Sequence, residues 1–500
     1  MYIGIVESAI FNNFKGAIMS KTAPQIPLPF LKLRKRDAEP LFLQLYGQIK
    51  QAIFSGQLKE GERLPATRAL AAELEISRNS VFQAFEQLIL EGFLEGRKGD
   101  GTYVCAKIGI VPARTPKVEE TPGTEEYIPD FSIEPLLPFQ SSIPSFAHFP
   151  FKTWAGIAAD VYRNIHSLHL GYGDTQGYAP LRNELADYLR INRSIICSPE
   201  QILIVSGSRQ AINLSAQLLI KKGDQCWMED PGYRGASMAI ERWGGRVCPV
   251  PLTQYGLDID HAIKTYPAAT FAYVTPSHQY PMGGTLPLAE RLKLLQWAAK
   301  QKMWIVEDDY DSEFRYNGRP VPALKGLDDA GQVIYTGTFS KVLFPALRLG
   351  YMVLPTLEMA RRFRMLKTTI DRENPVIDQA IITRFMREGH FARHLRKMRI
   401  LYKKLQDELT ALIGKHLHPW LEVEPGDSGM HITGWLKKDM LAADVEKAAG
   451  KQGLILQPVD DFSIKYGHPK GLMFGFTGYP VEDMEKAVLQ LKQILINLQP

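Results

Sequence analysis

Cysteine is scarce in this 500-residue chain: Cys105, Cys197, Cys226 and Cys248 are the only four, and no two of them form a CxxC pair. Neither a zinc ribbon nor a disulfide framework is therefore expected, no metal site is expected, and a reducing cytoplasm is the expected compartment. Long apolar runs are also missing. None reaches the roughly 20 residues that a bilayer-spanning helix needs, so no membrane partner is expected. The opening MYIGIVESAIFNNFKGAIMSK lacks the basic start, unbroken apolar core and small-residue cleavage site of a secretory signal. Because Met19 is followed by the polar SKTAPQIP, it is the expected native start rather than Met1. Internal repeats and low-complexity tracts are absent as well. Charge of one sign is weak too, since a formal net charge of +5 permits a nucleic-acid partner without requiring one.

What is present is apolar material, 45% of residues, against 23% charged, in a chain too long for one ordinary hydrophobic core. A small domain plus a large one is expected. The composition turns Pro-, Thr- and Glu-rich in KIGIVPARTPKVEETPGTEEYIPD, which reads as a linker. The resulting division is an N-terminal extension over 1–30, a small domain over 31–106, the linker over 107–127, and a large domain over 128–500. Within the last, a large lobe covers about 165–370 and a smaller α+β lobe about 375–500.

In the small domain Leu41, Leu45, Ile49 and Ile53 recur at helical spacing and stop at Gly56. Thr67 is expected to cap a second helix with Leu70 and Leu74 inward, and Ser77 a third, SRNSVFQAFEQLILEG. That third helix has Val81, Phe85 and Leu88 on one face, while Arg78, Asn79, Ser80 and Gln83 cluster near its start on the other. A recognition helix has this layout, because its first turns enter the major groove. The segment FLEGRKGDGTYV then predicts two short strands around a basic turn, a wing holding Arg97, Lys98 and Gly101 near phosphates. Taken one at a time, these features also fit a three-helix bundle with a solvated face. The whole stretch PLFLQLYGQIKQAIFSGQLKEGERLPATRALAAELEISRNSVFQAFEQLILEGFLEGRKGDGTYV resembles the GntR-type winged helix-turn-helix. That resemblance implies double-stranded operator DNA as partner, with Arg68 and Arg78 at phosphates or base edges and Thr67, Ser77, Asn79, Ser80 and Gln83 nearby. Arginine offers guanine a bidentate fork, so Arg78 is the expected discriminator.

In the large domain strand-like runs, ILIVS, QCWMED, FAYVTP, MWIVEDD, VIYTG and LGYMVL, alternate with helical patterns, which predicts an α/β fold with a mostly parallel sheet. Beyond Asn374 a long helical stretch from Ile377 to Leu412 leads to strand candidates at MHITGWL and GLMFGF. Four segments carry chemistry. GTFSKVLFPALRLG offers an amine, Lys341, with Thr338, Ser340 and Arg348 as anion contacts. EDDY places Asp308 and Tyr310 beyond a strand, at the sheet edge where open α/β folds bind ligands. SGSRQ puts Gly207, Ser208 and Arg209 at a helix start, where backbone amides and the helix dipole favour phosphate. EDPGYRGA offers Tyr233 as a stacking face. His278 and Gln279 in TPSHQYPMGG are candidates for a phenolic oxygen. A surface lysine, a solvent-facing carboxylate, an empty helix cap, a core tyrosine and a satisfied loop histidine are the plainer readings of each. Together they meet the needs of pyridoxal 5′-phosphate: an amine for its aldehyde, an acid for its ring nitrogen, an aromatic face and an anion site.

Residues 128 to 500, including LGYGDTQGYAPLRNELADYL, resemble fold-type-I, class I aminotransferases. The fusion of both parts is similar to the MocR subfamily of GntR regulators, in which TPSHQYPMG, EDDYDSEF and GTFSKVLFPALRLGY find their likeness. The resemblance implies a Schiff base at Lys341 and a domain-swapped homodimer. It implies a regulator sensing pyridoxal phosphate, an amino compound, or both. One departure stands out: HPKGLMFGFTGYP lacks the arginine with which these aminotransferases grip a substrate carboxylate, and Met473 falls near that place. Turnover is accordingly expected to be absent or vestigial. The alternatives are a genuine aminotransferase with an accessory DNA-binding domain, and a DNA-binding scaffold with an empty fold.

Overall fold

The computed structural model describes residues 28–35, 37–105, 136–166, 170–317, 321–437 and 439–498. The chain divides into two compact units, Met1–Phe131 and Ser132–Pro500. The expected start at Met19 and the linker at 107–127 lie outside the described residues.

The first unit holds α1 (Leu41–Phe54), α2 (Thr67–Glu73), α3 (Arg78–Leu90), β1 (Leu94–Arg97) and β2 (Gly101–Val104). Leu45, Ile49, Leu70, Val81, Phe85 and Leu88 meet in one apolar core, as their helical spacing requires. Ser77 caps α3, its hydroxyl accepting from the Ser80 amide at 3.0 Å. Thr67 does not cap α2. It is the first helical residue, the cap position falls to Ala66, and no side chain closes that end. The reason is local: Ala66 takes the extended backbone of a cap position, φ −60° and ψ 141°, so Thr67 is already inside the turn. Strands β1 and β2 pair antiparallel from Leu94–Val104 to Arg97–Gly101.

The second unit begins with α4 (Phe151–Arg163) and α5 (Ala179–Arg193). Its large lobe then runs β3 (Ile202–Val205), α6 (Ser208–Leu219), β4 (Gln225–Asp230), α7 (Arg234–Arg242), β5 (Arg246–Thr253), β6 (Gly256–Leu257), α8 (Ile259–Thr265), β7 (Ala269–Val274), α9 (Leu288–Gln301), β8 (Trp304–Asp309), β9 (Val333–Thr338), β10 (Gly350–Val353) and α10 (Leu357–Ile370). The strand order is β3-β10-β9-β8-β7-β4-β5-β6. Neighbours from β9 to β5 run parallel, β10 opposes both β3 and β9, and β6 opposes β5. The mostly parallel sheet expected from alternation is therefore mixed at both ends. Strand β5 escaped the sequence pattern because Pro249 and Pro251 interrupt it. Proline is tolerated there since β5 has only the two-residue β6 on its outer side.

The long helical stretch after Asn374 proves to be two helices, α11 (Val376–Arg387) and α12 (His390–His416), divided at Gly389, whose φ of +72° only glycine adopts without strain. The smaller lobe adds β11 (Leu421–Val423), β12 (His431–Leu436), α13 (Ala442–Gly450), β13 (Gln457–Pro458), β14 (Gly471–Gly475) and α14 (Val481–Asn497). Its strands form an antiparallel sheet, β11-β12-β14-β13. The segment before α4 crosses this sheet. Phe139 packs edge-on against Phe474 with ring centres 5.4 Å apart, and its carbonyl accepts from the Gly475 amide at 2.8 Å. No helix among the described residues is long and apolar enough to cross a membrane.

Candidate cofactor site and nucleic-acid interface

Strand β8 explains how one acidic run serves three purposes. Side chains alternate faces along a strand, so Glu307 and Asp309 point opposite to Asp308. Glu307 accepts from the Leu324 and Lys325 amides, both at 2.8 Å, and so anchors a loop. Asp309 pairs with the buried Arg193 at 2.6 Å and accepts from Tyr335. Only Asp308 faces the cavity, where it accepts from the Tyr273 hydroxyl at 2.7 Å and Thr336 Oγ1 at 3.0 Å. Burial pushes its carboxyl up to about 6, against those two hydrogen bonds, which pull it down.

The cavity, of about 360 Å³, is lined at the ends of β3, β8 and β9 and by the segments that follow them. Lys341 lies just past β9. Its Nζ donates to the Ser142 carbonyl at 2.9 Å. Burial lowers its pKa to about 8, partly offset by the charges of Asp311 and Asp308. At pH 7 about a tenth of the amine is thus unprotonated and nucleophilic, rising to about half near pH 8. Opposite, Gly207 leads into α6 with φ +119°, so the first-turn amides at Ser208 and Arg209, which no helix carbonyl can satisfy, border the cavity. Backbones crowd there: a Cβ at Gly350 would lie 3.0 Å from Gly207 Cα and 2.8 Å from the Gly337 carbonyl oxygen, so only glycine fits.

Of the residues singled out from sequence, the structure brings Gly207, Ser208, Arg209, Tyr233, Asp308, Tyr310, Thr338, Ser340, Lys341 and Arg348 onto this one cavity. Tyr233 is steered by Arg209, whose Nε donates to its hydroxyl at 2.8 Å, and Gly235 leaves room for the ring, since a Cβ there would sit 2.5 Å from it. Two residues stand apart. Gln279 is spent on the fold: its amide donates to Glu229, the Pro231 carbonyl and the Tyr280 carbonyl, and its oxygen accepts from the Met282 amide. His278 does not line the cavity but lies behind Tyr310, its Nδ1 2.9 Å from the Tyr310 hydroxyl. Sequence reasoning missed Tyr280, Tyr273, Ser141, Ser142, Ser206, Pro345 and Gln457, which also line the cavity. Tyr273 lies on the strand beside β8, paired with Val306, and its hydroxyl reaches Asp308. Ser142 and Gln457 carried no local signal, since only the tertiary fold brings their segments together, where Ser141 donates to Gln457.

A phosphate-bearing aldehyde fits these groups. Arg348 makes no ion pair among the described residues and lies with the α6 amides and Ser340 on the cavity wall. For such a group Lys341 would supply the amine, Asp308 a partner for a protonated ring nitrogen, and Tyr233 a ring face. The cations lining the cavity, Arg209, Lys341 and Arg348, all come from the large lobe. Met473 is fully buried in β14, directly opposite Gln457 in register.

In the first unit the polar face of α3 is open. Ser77, Arg78, Asn79 and Gln83 are exposed, as is Arg68 on α2, while Thr67 and Ser80 are half-buried. In the wing, Lys98 is exposed at the tip. Arg97 lies 4.2 Å over the Tyr103 ring and pairs with Glu95, so it holds the hairpin together. Gly101 has φ +141°, and a Cβ there would meet Arg63 Nε at 2.8 Å.

Comparisons with known proteins agree with this geometry. The family described as bacterial regulatory proteins, gntR family, matches residues 41–104, and aminotransferase class I and II matches residues 134–486. The chain is 35% identical to the probable rhizopine catabolism regulatory protein MocR of Rhizobium meliloti, over 93% of this chain and 96% of that one. It is 30% identical to the pyridoxine biosynthesis transcriptional regulator PdxR of Corynebacterium glutamicum, over 92% and 96%. The solved α-aminoadipate aminotransferase LysN of Thermus thermophilus, complexed with N-(5′-phosphopyridoxyl)-L-leucine, superposes with a TM-score of 0.67 at 28% identity, covering 73% of this chain and 92% of that one.

Proposed function

The chain belongs to the MocR-type GntR regulators, DNA-binding proteins fused to an aminotransferase class I and II domain with pyridoxal phosphate as cofactor, and from that premise we propose that it is a ligand-gated transcription factor. Its signal is read at Lys341, where the cofactor attaches covalently, alone or with an incoming amine that displaces the lysine. The observation that carries this reading is the half-buried Lys341, its amine held by the Ser142 carbonyl in the same cavity as Asp308. When bound, the cofactor supplies an aldehyde for amines and an electron-poor ring. The protein's own groups would hold it: Arg348, Ser340 and the α6 amides at the phosphate, Asp308 at the ring nitrogen, Tyr233 against the ring, and Tyr310 at the phenolic oxygen. Asp308 does so at low cost, because a pyridinium proton neutralises a carboxylate that burial otherwise disfavours.

Coupling to DNA requires that the effector bind two arrangements of paired DNA-binding units unequally. A domain-swapped homodimer supplies such a pair. Among the described residues no small-lobe cation lines the cavity to grip a substrate carboxylate, which favours sensing over turnover and makes the cofactor itself a fitting signal. The relative that controls pyridoxine biosynthesis supports that choice, and the one named for rhizopine catabolism supports an amino compound. Titrating pyridoxal phosphate alone against operator binding by the apo-protein separates the two, because only the first predicts a change in affinity. Steady conversion of an amino acid and a keto acid at enzymatic rates would instead establish a working aminotransferase.

A further inference from the structure

We propose that the buried His278–Asp311 pair is a positioning device that holds Tyr310 as a hydrogen-bond donor into the cofactor cavity. The inference rests on the reading above, in which the cofactor's phenolic oxygen faces Tyr310. His278 is 3% exposed and Asp311 1% exposed. His278 Nδ1 is 3.0 Å from both carboxylate oxygens of Asp311 and 2.9 Å from the Tyr310 hydroxyl.

One ring nitrogen carries either a proton or a lone pair, never both. A lone pair facing a buried carboxylate at this distance would be repelled, so Nδ1 carries the proton and donates it to Asp311. A protonated Nδ1 cannot accept from Tyr310. The tyrosine oxygen can only share that N–H, and its own proton must point elsewhere. No other hydrogen bond of this hydroxyl occurs among the described residues, and the cavity that Tyr310 lines is where an acceptor would lie.

The ring is also clamped in place. A Cβ at Gly429, which has φ +97°, would fall 2.0 Å from His278 Cε1, and one at Gly283 would fall 3.4 Å from Nε2. Glycine at position 429 therefore lets the small-lobe loop close directly on the imidazole. The other titratable groups facing the pair do not compete for Nδ1. His431 lies 5.3 Å away between ring centres, its Nε2 donating to the Pro281 carbonyl, and burial with the nearby His278 holds it neutral. Tyr280 meets Tyr310 edge-on at 5.8 Å, and Tyr316, which feels the Asp311 charge, donates its hydroxyl to the Gly429 carbonyl. Lys341, drawn toward Asp311 by charge, and Asp308 line the same cavity as Tyr310.

A donor fixed at the cofactor's ring oxygen stabilises negative charge there, and so lowers the pH at which the nitrogen attached to Lys341 loses its proton. The test is a pH titration of the visible absorbance of full-length protein reconstituted with pyridoxal phosphate. Tyr310→Phe is expected to raise the midpoint by about one pH unit, the size of shift that one hydrogen bond to a charged group supports. His278→Phe should raise it comparably, and should add nothing in the Tyr310→Phe background. His278→Asn, whose amide N–H replaces Nδ1–H, should recover most of the shift. An unchanged midpoint in His278→Phe, or an equal rise in both backgrounds, overturns the proposal. If circular dichroism shows that His278→Phe does not fold, Asp311→Leu takes its place: removing the acceptor must raise the midpoint more in the wild-type than in the Tyr310→Phe background, and equal changes overturn it. An unmodified protein with no visible band rejects the cofactor reading together with this one, whereas a band indifferent to His278 rejects this one alone.

Discussion

In the first unit, Arg68, Arg78, Asn79 and Gln83, expected at DNA, stand exposed on two short helices, and the core beneath them comes from the same stretch of chain. In the second, the cavity is closed by groups that the chain separates widely: Ser141 donates to Gln457, 316 positions away, and Lys341 to the Ser142 carbonyl, 199 away. Recognition of a polyanion needs solvated cations on a rigid face, which local structure provides. Holding an amine and a carboxylate with shifted pKa values needs burial, which only distant segments provide together.

Breaking the second unit at its amine should leave the first intact. Lys341→Ala is expected to abolish borohydride-fixable labelling by pyridoxal phosphate completely while leaving the N-terminal unit's thermal unfolding unchanged; labelling that persists would remove the sensor role. Asp308→Asn sharpens the contrast between stability and function. Its folded-state pKa is raised from 3.8 to about 6, so the stability tied to its protonated form is present below about pH 4 and lost as pH rises through 6. The Asn variant of the apo-protein should therefore gain about 1–3 kcal/mol at pH 8 in denaturant unfolding and nothing at pH 4, yet bind the cofactor more weakly. Equal effects at both pH values would break the assignment.

On the exposed side the effects are smaller. Arg78→Ala should reduce operator affinity by about 10–100-fold, equivalent to about 1–3 kcal/mol, and flatten sequence preference. Lys98→Ala at the wing tip should cost less and alter mainly the salt dependence. Equal losses in a binding titration would reject Arg78 as the discriminator. The smallest expected effect separates the two helix starts: Ser77→Ala should lower stability by about 1 kcal/mol, whereas Thr67→Ala, which removes no cap bond, should be close to neutral in calorimetry.

Legibility followed the same divide. The six strands read from apolar runs are all present, because a strand buried on both faces has to be continuously apolar. Strand β5 was hidden by Pro249 and Pro251, and the break at Gly389 by the uninterrupted periodicity on either side of it. In the site, Asp308, Tyr310 and Lys341 were visible because each lies at the end of a strand or within three residues beyond it. Gln279 was singled out on a weaker form of the same signal, five residues past the end of β7, and its amide is consumed by Glu229 and neighbouring carbonyls. Proximity to a strand end marks a residue as available to a ligand without saying whether the fold has already used it.

The amino-acid order alone determined the two-part architecture, the recognition helix and the residues of the cofactor motifs, since periodicity, caps and strand ends depend on near neighbours. Tertiary structure decided which face each acid of Glu307-Asp308-Asp309 serves, that Ser142 meets Lys341, and that His278 stands behind Tyr310. Those outcomes turn on contacts and burial between segments far apart in the chain, and no local pattern encodes how much water such a contact excludes.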